Sequence, residues 1–506
     1  MMGTMEKTDK VERWDIFEFS LTGPQPANPF KEVELQARFE HEKRTVAVKG
    51  FYDGDGVYRL RFMPDEEGPW RFSTRSNAKE LDGRSGSFTC TPPGQDNHGP
   101  VRPDKTFHFS YADGTPFFVM GTTAYAWTYR PEEIRRKTLD SFSRHGFNKI
   151  RMLFFPKHYG DGENVDISYD PPVLPFRGEK NALDFSYFNV EYFQSFEKRV
   201  RELMELGIEA DVILFHFYDF QHWGIDMGMS REDDLFFLAY LVARLGAYRN
   251  VWWSLANEFD LLVTDSGKLQ VVLDRKDWEA AGRYLQENDP YDHPRSVHNF
   301  PFGVVFPDRD WLTHVSYQHP NTYSLLMELK GRYGKPVVND EYQYEGNLPN
   351  DWASCTPELE LTRHWMAVMA GGYASHGEAY RIDENSKDIF WSYGGELVGG
   401  SPRRLRFMKE ILESCPFQEM EPDLMKSEGR DLFCLRRGSE LYLYFKTPGF
   451  KDGGRLFIGP PEAVEGSYQV EVYDAWNCWL HRRLVVHSGM NALPVPPWAA
   501  IKVAWR

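Results

Sequence analysis

A repeated unit dominates the middle of the sequence: a helical segment, a glycine, and a short apolar run that ends in polar residues. It occurs as HGFNKIRMLFF from His145, LGIEADVILFHF from Leu206, LGAYRNVWWSLANE from Leu245, YGKPVVNDEY from Tyr333 and, more weakly, GGYASHGEAY from Gly371. Short apolar runs of this kind are typical of buried parallel strands. A glycine after the last helical residue is expected as a left-handed cap. The unit therefore predicts alternating helices and parallel strands.

The number of such strands favours a closed barrel. Three further runs have the composition of strands, at residues 116–120, 294–298 and 310–317, which gives eight strands in about 280 residues. Eight strand–helix units close most naturally as a (β/α)8 TIM barrel, although a doubly wound open sheet satisfies the same alternation. No GxGxxG motif follows the first strand, which disfavours a dinucleotide-binding sheet. Ser230 to Asp233 has the sequence of a capping box before one of the helices.

Both ends of the chain show a different period. Residues 12–90 alternate apolar and polar side chains and contain hairpin turn signals such as DGDG at 53–56, which predicts an Ig-like β-sandwich. After a last predicted helix at 402–413, the period-two alternation returns. We therefore expect α/β architecture in three domains. These are an N-terminal Ig-like β-sandwich at 1–100, the catalytic barrel at 101–414, and a C-terminal antiparallel β-sandwich domain at 415–506.

Composition excludes several classes of partner. The net charge of −16 argues against binding to nucleic acid or anionic membranes, because both need clustered Lys and Arg. The five cysteines are odd in number and have no CxxC spacing, so they predict neither a disulfide framework nor a zinc site. The N-terminus carries charges where a secretory signal needs an apolar region, and no apolar run is long enough to span a membrane. We expect a cytoplasmic protein without a cofactor; its oligomeric state is not predicted.

In a closed barrel, the residues at the carboxyl ends of the strands converge on one pocket. In strand order the polar and aromatic residues expected there are Tyr125 and Trp127, Arg151, His216 and Asp219, Asn257 and Glu258, His298 and Asn299, Tyr317 and His319, Glu341, and Glu378 with Trp391. The segment YQYEG at 342–346 is expected to add polar contacts. Glu378 also fits a surface salt-bridge partner, and the aromatic residues also fit a packed core.

Two of these carboxylates, Glu258 and Glu341, suit retaining glycoside hydrolysis. In that reaction one carboxylate attacks the anomeric carbon and the other, held protonated, donates to the leaving oxygen, with the pair roughly 5 to 5.5 Å apart. Strands four and seven lie across a barrel mouth, which is compatible with that separation. Asn257 is expected to hydrogen-bond the sugar hydroxyl next to the reacting carbon.

The neighbours of the two carboxylates divide their roles. We expect Arg151 and Tyr317 to favour ionisation of Glu341, the nucleophile. Glu258 follows two tryptophans, Trp252 and Trp253, and a drier pocket there favours the protonated acid. Asp340 precedes Glu341, and because adjacent strand residues point to opposite faces, we expect Asp340 to face the helices.

These residues resemble the retaining glycoside hydrolases of clan A. The resemblance rests on LANE at 255–258, VVNDEY at 337–342, and Arg151, His216, Tyr317 and Trp391. The opening DGTPFFVMGTTAYAW resembles the apiosidase-like (DUF4038-type) family within that group, which often carries an N-terminal Ig-like (DUF5060-type) domain and a C-terminal β domain.

The resemblance implies a carbohydrate substrate, Glu258 and Glu341 as catalytic residues, and no metal. It implies substrate contacts from Arg151, His216, Asn257, Tyr317, His319, Trp127, Tyr125 and Trp391. In apiosidases proper the acid/base is an Asp in a Gly-rich context. The Asn257-Glu258 pair departs from this, so the resemblance does not carry apiose specificity to this chain.

The sequence thus predicts a retaining glycoside hydrolase that cleaves a terminal bond of a small oligosaccharide or plant-type glycoside. Two alternatives stay open. An inactive carbohydrate-binding barrel would have one of the two Glu replaced, which is not observed. A metal-dependent barrel hydrolase would be inhibited by chelators, but no HxH or HExxH spacing occurs.

Overall fold

An eight-stranded parallel barrel forms the centre of the protein. The computed structural model describes residues 10–159, 169–218, 220–225, 228–263, 269–301, 303–381, 389–428, 431–450, 455–458, 467–487 and 491–505. The barrel strands are β1 Met120–Thr123, β2 Lys149–Leu153, β3 Glu209–Phe215, β4 Val251–Ala256, β5 Arg295–Ser296, β6 Val315–Gln318, β7 Val337–Glu341 and β8 Tyr373–His376. They pair in the order β5-β4-β3-β2-β1-β8-β7-β6. The predicted TIM barrel is confirmed.

The remaining gap in the barrel lies between β5 and β6. Two hydrogen bonds bridge it: the Thr313 amide donates to the Arg295 carbonyl at 3.0 Å, and the Arg295 amide donates to the Thr313 hydroxyl at 2.7 Å. The described residues between these strands, 297–301 and 303–314, contain no helix. The fifth strand–helix unit is therefore closed by a loop.

The first barrel strand differs from the prediction at 116–120. Pro116–Phe117 pairs instead with His108–Tyr111, in a three-stranded antiparallel sheet that also contains Val101–Asp104. The barrel strand begins at Met120 and carries Thr122 and Thr123, both fully buried. An apolar run shows burial but does not show which of two adjacent sheets a residue joins.

Helices cover the barrel between its strands. They are α1 Glu132–His145, α2 Val190–Glu205, α3 Arg231–Leu245, α4 Trp278–Asn288, α5 Ser324–Tyr333, α6 Pro357–Met369 and α7 Pro402–Glu413, with four-residue helices at Phe220–Trp223 and Phe390–Tyr393. The capping box before α3 is confirmed, because the Ser230 hydroxyl accepts from the Asp233 amide and the Asp233 carboxylate accepts from the Ser230 amide. The predicted last helix is α7 itself.

Most of the glycines that end the repeat units are left-handed caps. Gly146, Gly207, Gly334 and Gly371 have φ between 60° and 73°, as predicted. Gly246 is different: its φ is −59°, in the right-handed region. A Cβ there would lie 2.7 Å from the carbonyl oxygen one helical turn earlier. This glycine is required by a close approach and not by its backbone angle.

Mainly antiparallel sheets flank the barrel at both ends, as predicted; the exception is Lys10–Glu12, which pairs in parallel with Ser85–Thr91. The N-terminal sheets contain Lys10–Glu12, Leu35–His41, Arg44–Lys49, Gly68–Ser76 and Ser85–Thr91 in one layer, and Phe17–Thr22, Phe51–Tyr52 and Val57–Phe62 in the other. The C-terminal sheets contain Glu421–Pro422, Leu432–Arg437, Leu441–Lys446, Ser467–Asp474, Trp479–His487 and Ala499–Trp505, and the pair Arg455–Ile458 and Asn491–Pro494. We keep 1–100, 101–414 and 415–506 as the proposed domain boundaries.

Buried charges join the N-terminal sheets to the barrel helices. Arg61 of the sandwich donates to Glu197 of α2 at 2.7 Å and to the Arg244 carbonyl of α3 at 2.8 Å. Arg244 in turn donates to Glu197 at 2.6 Å and to Asp53 of the sandwich. Each cation here meets acidic groups, so the interface buries few unpaired charges. Among the helices described, none is long and apolar enough to cross a membrane.

Two buried glutamates tie β7 and β8 to the start of α7. Four consecutive backbone amides, from residues 398–401, donate to the carboxyl groups of Glu345 and Glu378 at 2.5 to 2.9 Å. Acidic groups are stabilised at a helix N-terminus by the unpaired amides and the helix dipole. Glu378 therefore has a structural setting, bound by amides, and is neither an exposed salt-bridge partner nor a neighbour of Glu258 and Glu341.

We predict that Glu378 makes the stability of the fold depend on pH. Burial, with the nearby charge of Glu345, raises the pKa of Glu378 to about 8, whereas an unfolded Glu has a pKa of about 4.3. The contribution of Glu378 to the free energy of unfolding is therefore complete below about pH 4 and is lost as the pH rises through about 8. Thermal unfolding of Glu378→Gln should show a Tm deficit relative to the unmodified protein that narrows between pH 5 and pH 9.

Glu396→Gln is the matched control, because this side chain is 59% exposed. Its Tm difference from the unmodified protein should stay constant over the same pH range. Parallel curves for Glu378→Gln and the unmodified protein would contradict the assignment.

Candidate active site

Glu341 ends β7 inside the mouth of the barrel, where four donors surround its carboxylate. Arg151 donates to Oε1 at 2.8 Å, and the hydroxyl of Tyr125 donates to the same oxygen. The Tyr344 hydroxyl donates to Oε2, and His298 Nε2 lies 3.3 Å from Oε1. The predicted contact with Arg151 is present.

Arg151 holds two strand ends together. Its Nη1 meets Glu341, and its Nη2 donates to Asn257 Oδ1 at 2.5 Å. The Asn257 amide then donates to the Tyr218 hydroxyl, also at 2.5 Å. Tyr218 also hydrogen-bonds Glu258, the residue that follows Asn257. The planar fork of arginine thus sets the distance between β4 and β7 at the carboxyl ends of the strands.

A β-bulge in β7 brings two consecutive acidic residues inside the barrel. Tyr317 pairs with Asn339 and the next residue, Gln318, pairs with Glu341, so Asp340 is the extra residue. A bulge places neighbouring side chains on one face. Asp340 accordingly accepts from Lys149 at 2.9 Å, and the prediction that it faces the helices is wrong.

Charge keeps Glu341 ionised. Burial by itself raises the pKa of a carboxyl, but the donor His298, the charge of Arg151 and the Tyr125 hydroxyl outweigh it, and the pKa of Glu341 falls to about 2. Burial is likewise outweighed at Asp340, whose pKa is lowered by Lys149 and Arg151. Glu341 is therefore a carboxylate at neutral pH.

Glu258 has the opposite protonation. Burial and the charge of Glu341 raise its pKa to about 8, against hydrogen bonds from Tyr218 and Gln318 that lower it. The indole groups of the two preceding tryptophans have other polar partners: Trp252 donates to Glu209 and Trp253 to Asp289, both at 2.9 Å. The raised pKa agrees with the prediction that Glu258 is the protonated acid.

The backbone at Glu258 is unusual. Its φ is +48°, in the left-handed region that non-glycine residues rarely adopt. Hydrogen bonds on both sides hold this turn: the Leu261 amide donates to the Glu258 carbonyl at 2.9 Å, and the Phe259 amide donates to the His298 carbonyl at 2.9 Å. Strained backbone of this kind persists only where surrounding contacts enforce it, and it is common at functional sites.

Two aromatic residues from the prediction border the carboxylates. Tyr125 touches Glu341 directly, and Trp391 packs against Tyr344 with ring centroids 5.5 Å apart and against Tyr125 at 6.5 Å. Trp127 instead is fully buried and packs edge-on against Phe142 of α1. Trp127 is a core residue and does not wall the site.

The remaining predicted residues make contacts with groups other than the two carboxylates. His216 is buried beside Tyr218, with ring centroids 5.4 Å apart, and burial lowers its pKa to about 3, so its imidazole is neutral. The Tyr317 hydroxyl donates to the Asn321 carbonyl at 3.3 Å, and the expected donation to Glu341 is not made. His319, partly exposed, accepts from the Asn321 amide. Asp219 lies outside the described residues.

Two residues at the carboxylates were missed from the sequence, Tyr218 and Gln318. Tyr218 follows His216 by two positions, so an extended chain points both to the same side. Gln318 follows Tyr317 and points inward because Tyr317 points outward. Strand alternation could have found both residues, once the inward face of each strand was known.

Two groups in the described part of the chain have the composition of a metal site: His158, Asp170 and His222, and Glu345, His376 and Glu378. The first already holds a cation, since Lys180 Nζ lies 2.7 Å from Asp170 and 2.9 Å from His222. In the second, the amides of residues 398–401 point at the carboxyl oxygens. Amide dipoles in that direction oppose a cation.

Comparison with solved structures gives the class of protein. A putative glycoside hydrolase from Bacteroides vulgatus ATCC 8482 matches with 35% identity and a TM-score of 0.87, over 99% of this chain and 100% of that one. A family 5 glycoside hydrolase from the same organism matches with 14% identity and a TM-score of 0.60, over 80% and 94% of the two chains, which shows the fold alone. The fold and the first of these relatives show that the protein is a glycoside hydrolase.

The family follows from the sequence itself. Residues 104–380 match the family described as apiosidase-like, catalytic domain, and residues 10–77 match the domain of unknown function DUF5060. The chain belongs to the apiosidase-like family. No curated protein matches it.

The two carboxyl groups predict the pH dependence of hydrolysis. The acidic limb of kcat/KM should lie far below neutrality because Glu341 stays ionised to about pH 2, and activity should fall as the pH rises through about 8, where Glu258 loses its proton. Initial rates on an aryl glycoside at low substrate concentration between pH 4 and pH 10 should show the alkaline limb near pH 8 and no acidic fall in that range. Activity that still rises above pH 9 would contradict the protonated state of Glu258.

Proposed function

We propose that this glycoside hydrolase acts with retention of anomeric configuration, with Glu341 as nucleophile and Glu258 as acid/base, in the manner of clan A. The observation that carries the assignment of roles is the division of protons between the two carboxyls. Glu341 is ionised by Arg151 and its other donors, while Glu258 keeps its proton. Pairs of carboxyls whose environments separate their pKa values take the roles of base and acid.

In the first step, Glu341 attacks the anomeric carbon while Glu258 gives its proton to the glycosidic oxygen. The bond between the anomeric carbon and that oxygen breaks, the leaving group departs as an alcohol, and an ester joins the sugar to Glu341. Loss of the negative charge on Glu341 then lowers the pKa of Glu258, because that charge was one cause of its raised value.

In the second step, the ionised Glu258 takes a proton from water, and the water oxygen attacks the anomeric carbon. The ester bond breaks, Glu341 regains its charge, and Glu258 is again protonated. Each carboxyl ends the cycle in its starting state. Two inversions at one carbon give net retention.

The neighbouring side chains supply orientation. Asn257, fixed by Arg151 and Tyr218, offers an amide to the hydroxyl next to the reacting carbon. Tyr125 and Trp391 form an aromatic side of the site, suited to the C–H face of a sugar ring. His216 and His319 are proposed to contact the substrate. The Tyr317 hydroxyl donates to the Asn321 carbonyl, so we assign Tyr317 no direct contact with the substrate.

We propose a terminal residue of a small oligosaccharide or plant-type glycoside as the substrate, and the cytoplasm as the place of action. All five cysteines are free and four are buried, which is typical of a reducing compartment.

We predict that Glu341→Ala lowers kcat on an activated aryl glycoside roughly 10⁴-fold or more, because no ester can form. Azide fits the space left by the carboxylate and should restore turnover, giving a glycosyl azide of inverted configuration. NMR of the product measures the configuration. Unimpaired activity in this variant would remove Glu341 from the mechanism.

Glu258→Ala should affect substrates unequally. Poor leaving groups need protonation and should lose roughly 10² to 10⁴-fold in the first step, whereas good leaving groups should lose far less. Azide attacks the ester in this variant, so the glycosyl azide should have retained configuration, the opposite of the Glu341 variant. Equal losses for both substrate types, measured by pre-steady-state release of the leaving group, would argue against the acid role.

A further inference from the structure

His298 lies between the two catalytic carboxyls and is fully buried. Its backbone brackets the turn that carries Glu258: the His298 amide donates to the Ala256 carbonyl at 3.2 Å, and its carbonyl accepts from the Phe259 amide at 2.9 Å. Its ring extends toward Glu341, with Nε2 3.3 Å from Oε1. His298, which follows β5, therefore contacts both β4 and β7.

Gln318 continues this connection toward Glu258. Its Oε1 lies 3.0 Å from His298 Nε2, and its amide group hydrogen-bonds the Glu258 carboxyl. Gln318 is buried, and its backbone amide donates to Asn299 Oδ1 at 3.2 Å. Because its oxygen faces the imidazole, its NH₂ group faces the carboxyl.

The other ring nitrogen of His298, Nδ1, also has a hydrogen-bonding partner. Its Nδ1 lies 3.0 Å from the Ser316 hydroxyl oxygen, which is 2.6 Å from Asp340 Oδ2. Lys149 and Ser375 occupy Asp340 Oδ1. The bulge that brings Asp340 inside the barrel thus also anchors the imidazole.

The geometry settles where one proton must lie. His298 Nε2 faces two acceptor oxygens, Glu341 Oε1 and Gln318 Oε1. An unprotonated nitrogen would set its lone pair against both oxygens. A proton on Nε2 satisfies them.

We propose that His298 and Gln318 are positioning residues that couple the nucleophile to the acid/base through a continuous hydrogen-bonded link, Glu341–His298–Gln318–Glu258. The proposal rests on the proposed function, since it gives the link its catalytic meaning. His298 Nε2–H stabilises the charge on Glu341, and the Gln318 amide stabilises the charge that Glu258 acquires after it gives up its proton.

Other groups also face the two carboxyls. Glu341 faces Arg151, Tyr125 and Tyr344. Glu258 faces Tyr218 and the charge of Asp260, and His298 also faces the charge of Asp340. Every variant below leaves these residues in place. A shift of the acidic or alkaline limb of kcat/KM is therefore attributed to the link.

Two substitutions of His298 test the contributions of its two ring nitrogens separately. The amide of glutamine reproduces a donor near the position of Nε2, and that of asparagine one near Nδ1. His298→Asn should lower kcat/KM roughly tenfold to hundredfold, as expected for loss of a hydrogen bond to a charged group, and move the acidic limb to higher pH. His298→Gln should keep most of the kcat/KM of the unmodified protein, and its acidic limb should lie at the pH found for the unmodified protein.

Gln318→Leu tests the other half of the link. Loss of the amide donor should raise the pKa of Glu258 and move the alkaline limb of kcat/KM above its position near pH 8. If the link is continuous, His298→Asn should move the same limb in the same direction, because Gln318 loses the partner that orients it. The double variant should then move that limb no further than Gln318→Leu alone.

Three results would overturn the link. These are equal losses in His298→Gln and His298→Asn without movement of either limb, retention of activity by the asparagine variant alone, and additive shifts in the double variant. Circular dichroism and Tm establish that each variant is folded. If the His298 variants do not fold, the alkaline limb of Gln318→Leu decides alone, and an unmoved limb refutes the proposal.

The proposed function and the link fail separately. Absence of turnover on any aryl glycoside by the unmodified protein would refute the function. The ¹⁵N chemical shifts of the His298 imidazole need no substrate and test the link in the intact protein. We expect a protonated Nε2; an unprotonated Nε2 overturns the link whatever the activity.

Discussion

The interior of the barrel is arranged around two carboxylates that a single strand brings inside. A pair of buried negative charges costs several kcal/mol for each ion unless cations and donors surround it. Strand β2 supplies both cations: Lys149 meets Asp340 and, two residues later on the same face, Arg151 meets Glu341. The bulge in β7 therefore depends on the Lys-x-Arg spacing in β2, because without these cations its two carboxylates would lack their charged partners; Lys149 also meets Asp211 at 2.6 Å.

Glu341 and Glu258 end in opposite protonation states. Glu341 is surrounded by His298, Arg151 and Tyr125, which together lower its pKa, and it loses its proton. Glu258 receives neutral donors from Tyr218 and Gln318, faces the charge of Glu341, and keeps its proton. The groups around Glu341 thus act on both states, directly at Glu341 and through its charge at Glu258. His298 and Gln318 add a path by which a change at one carboxyl reaches the other.

Periodic features were predicted well from the sequence. The apolar runs located the barrel strands, and a single capping box located the start of α3, because these signals depend on neighbouring residues alone. The first strand was displaced because the run at 116–120 serves two adjacent sheets. Asp340 was assigned to the wrong face because strict alternation assumes a regular strand, and a bulge depends on the pairing with β6. Trp127 was placed in the site because its position after β1 does not show which way its side chain turns.

The sequence by itself determined the class of fold, the positions of Glu258 and Glu341 at strand ends, and the presence of Arg151 opposite them, because strand and helix periods are local properties of the chain. Only the tertiary structure decided which groups set the two protonation states, which tyrosines reach Glu341, and how His298 connects Glu341 to the strand that carries Glu258. These properties depend on distances between atoms far apart in the chain, and electrostatic and hydrogen-bond energies in a buried site change steeply with such distances.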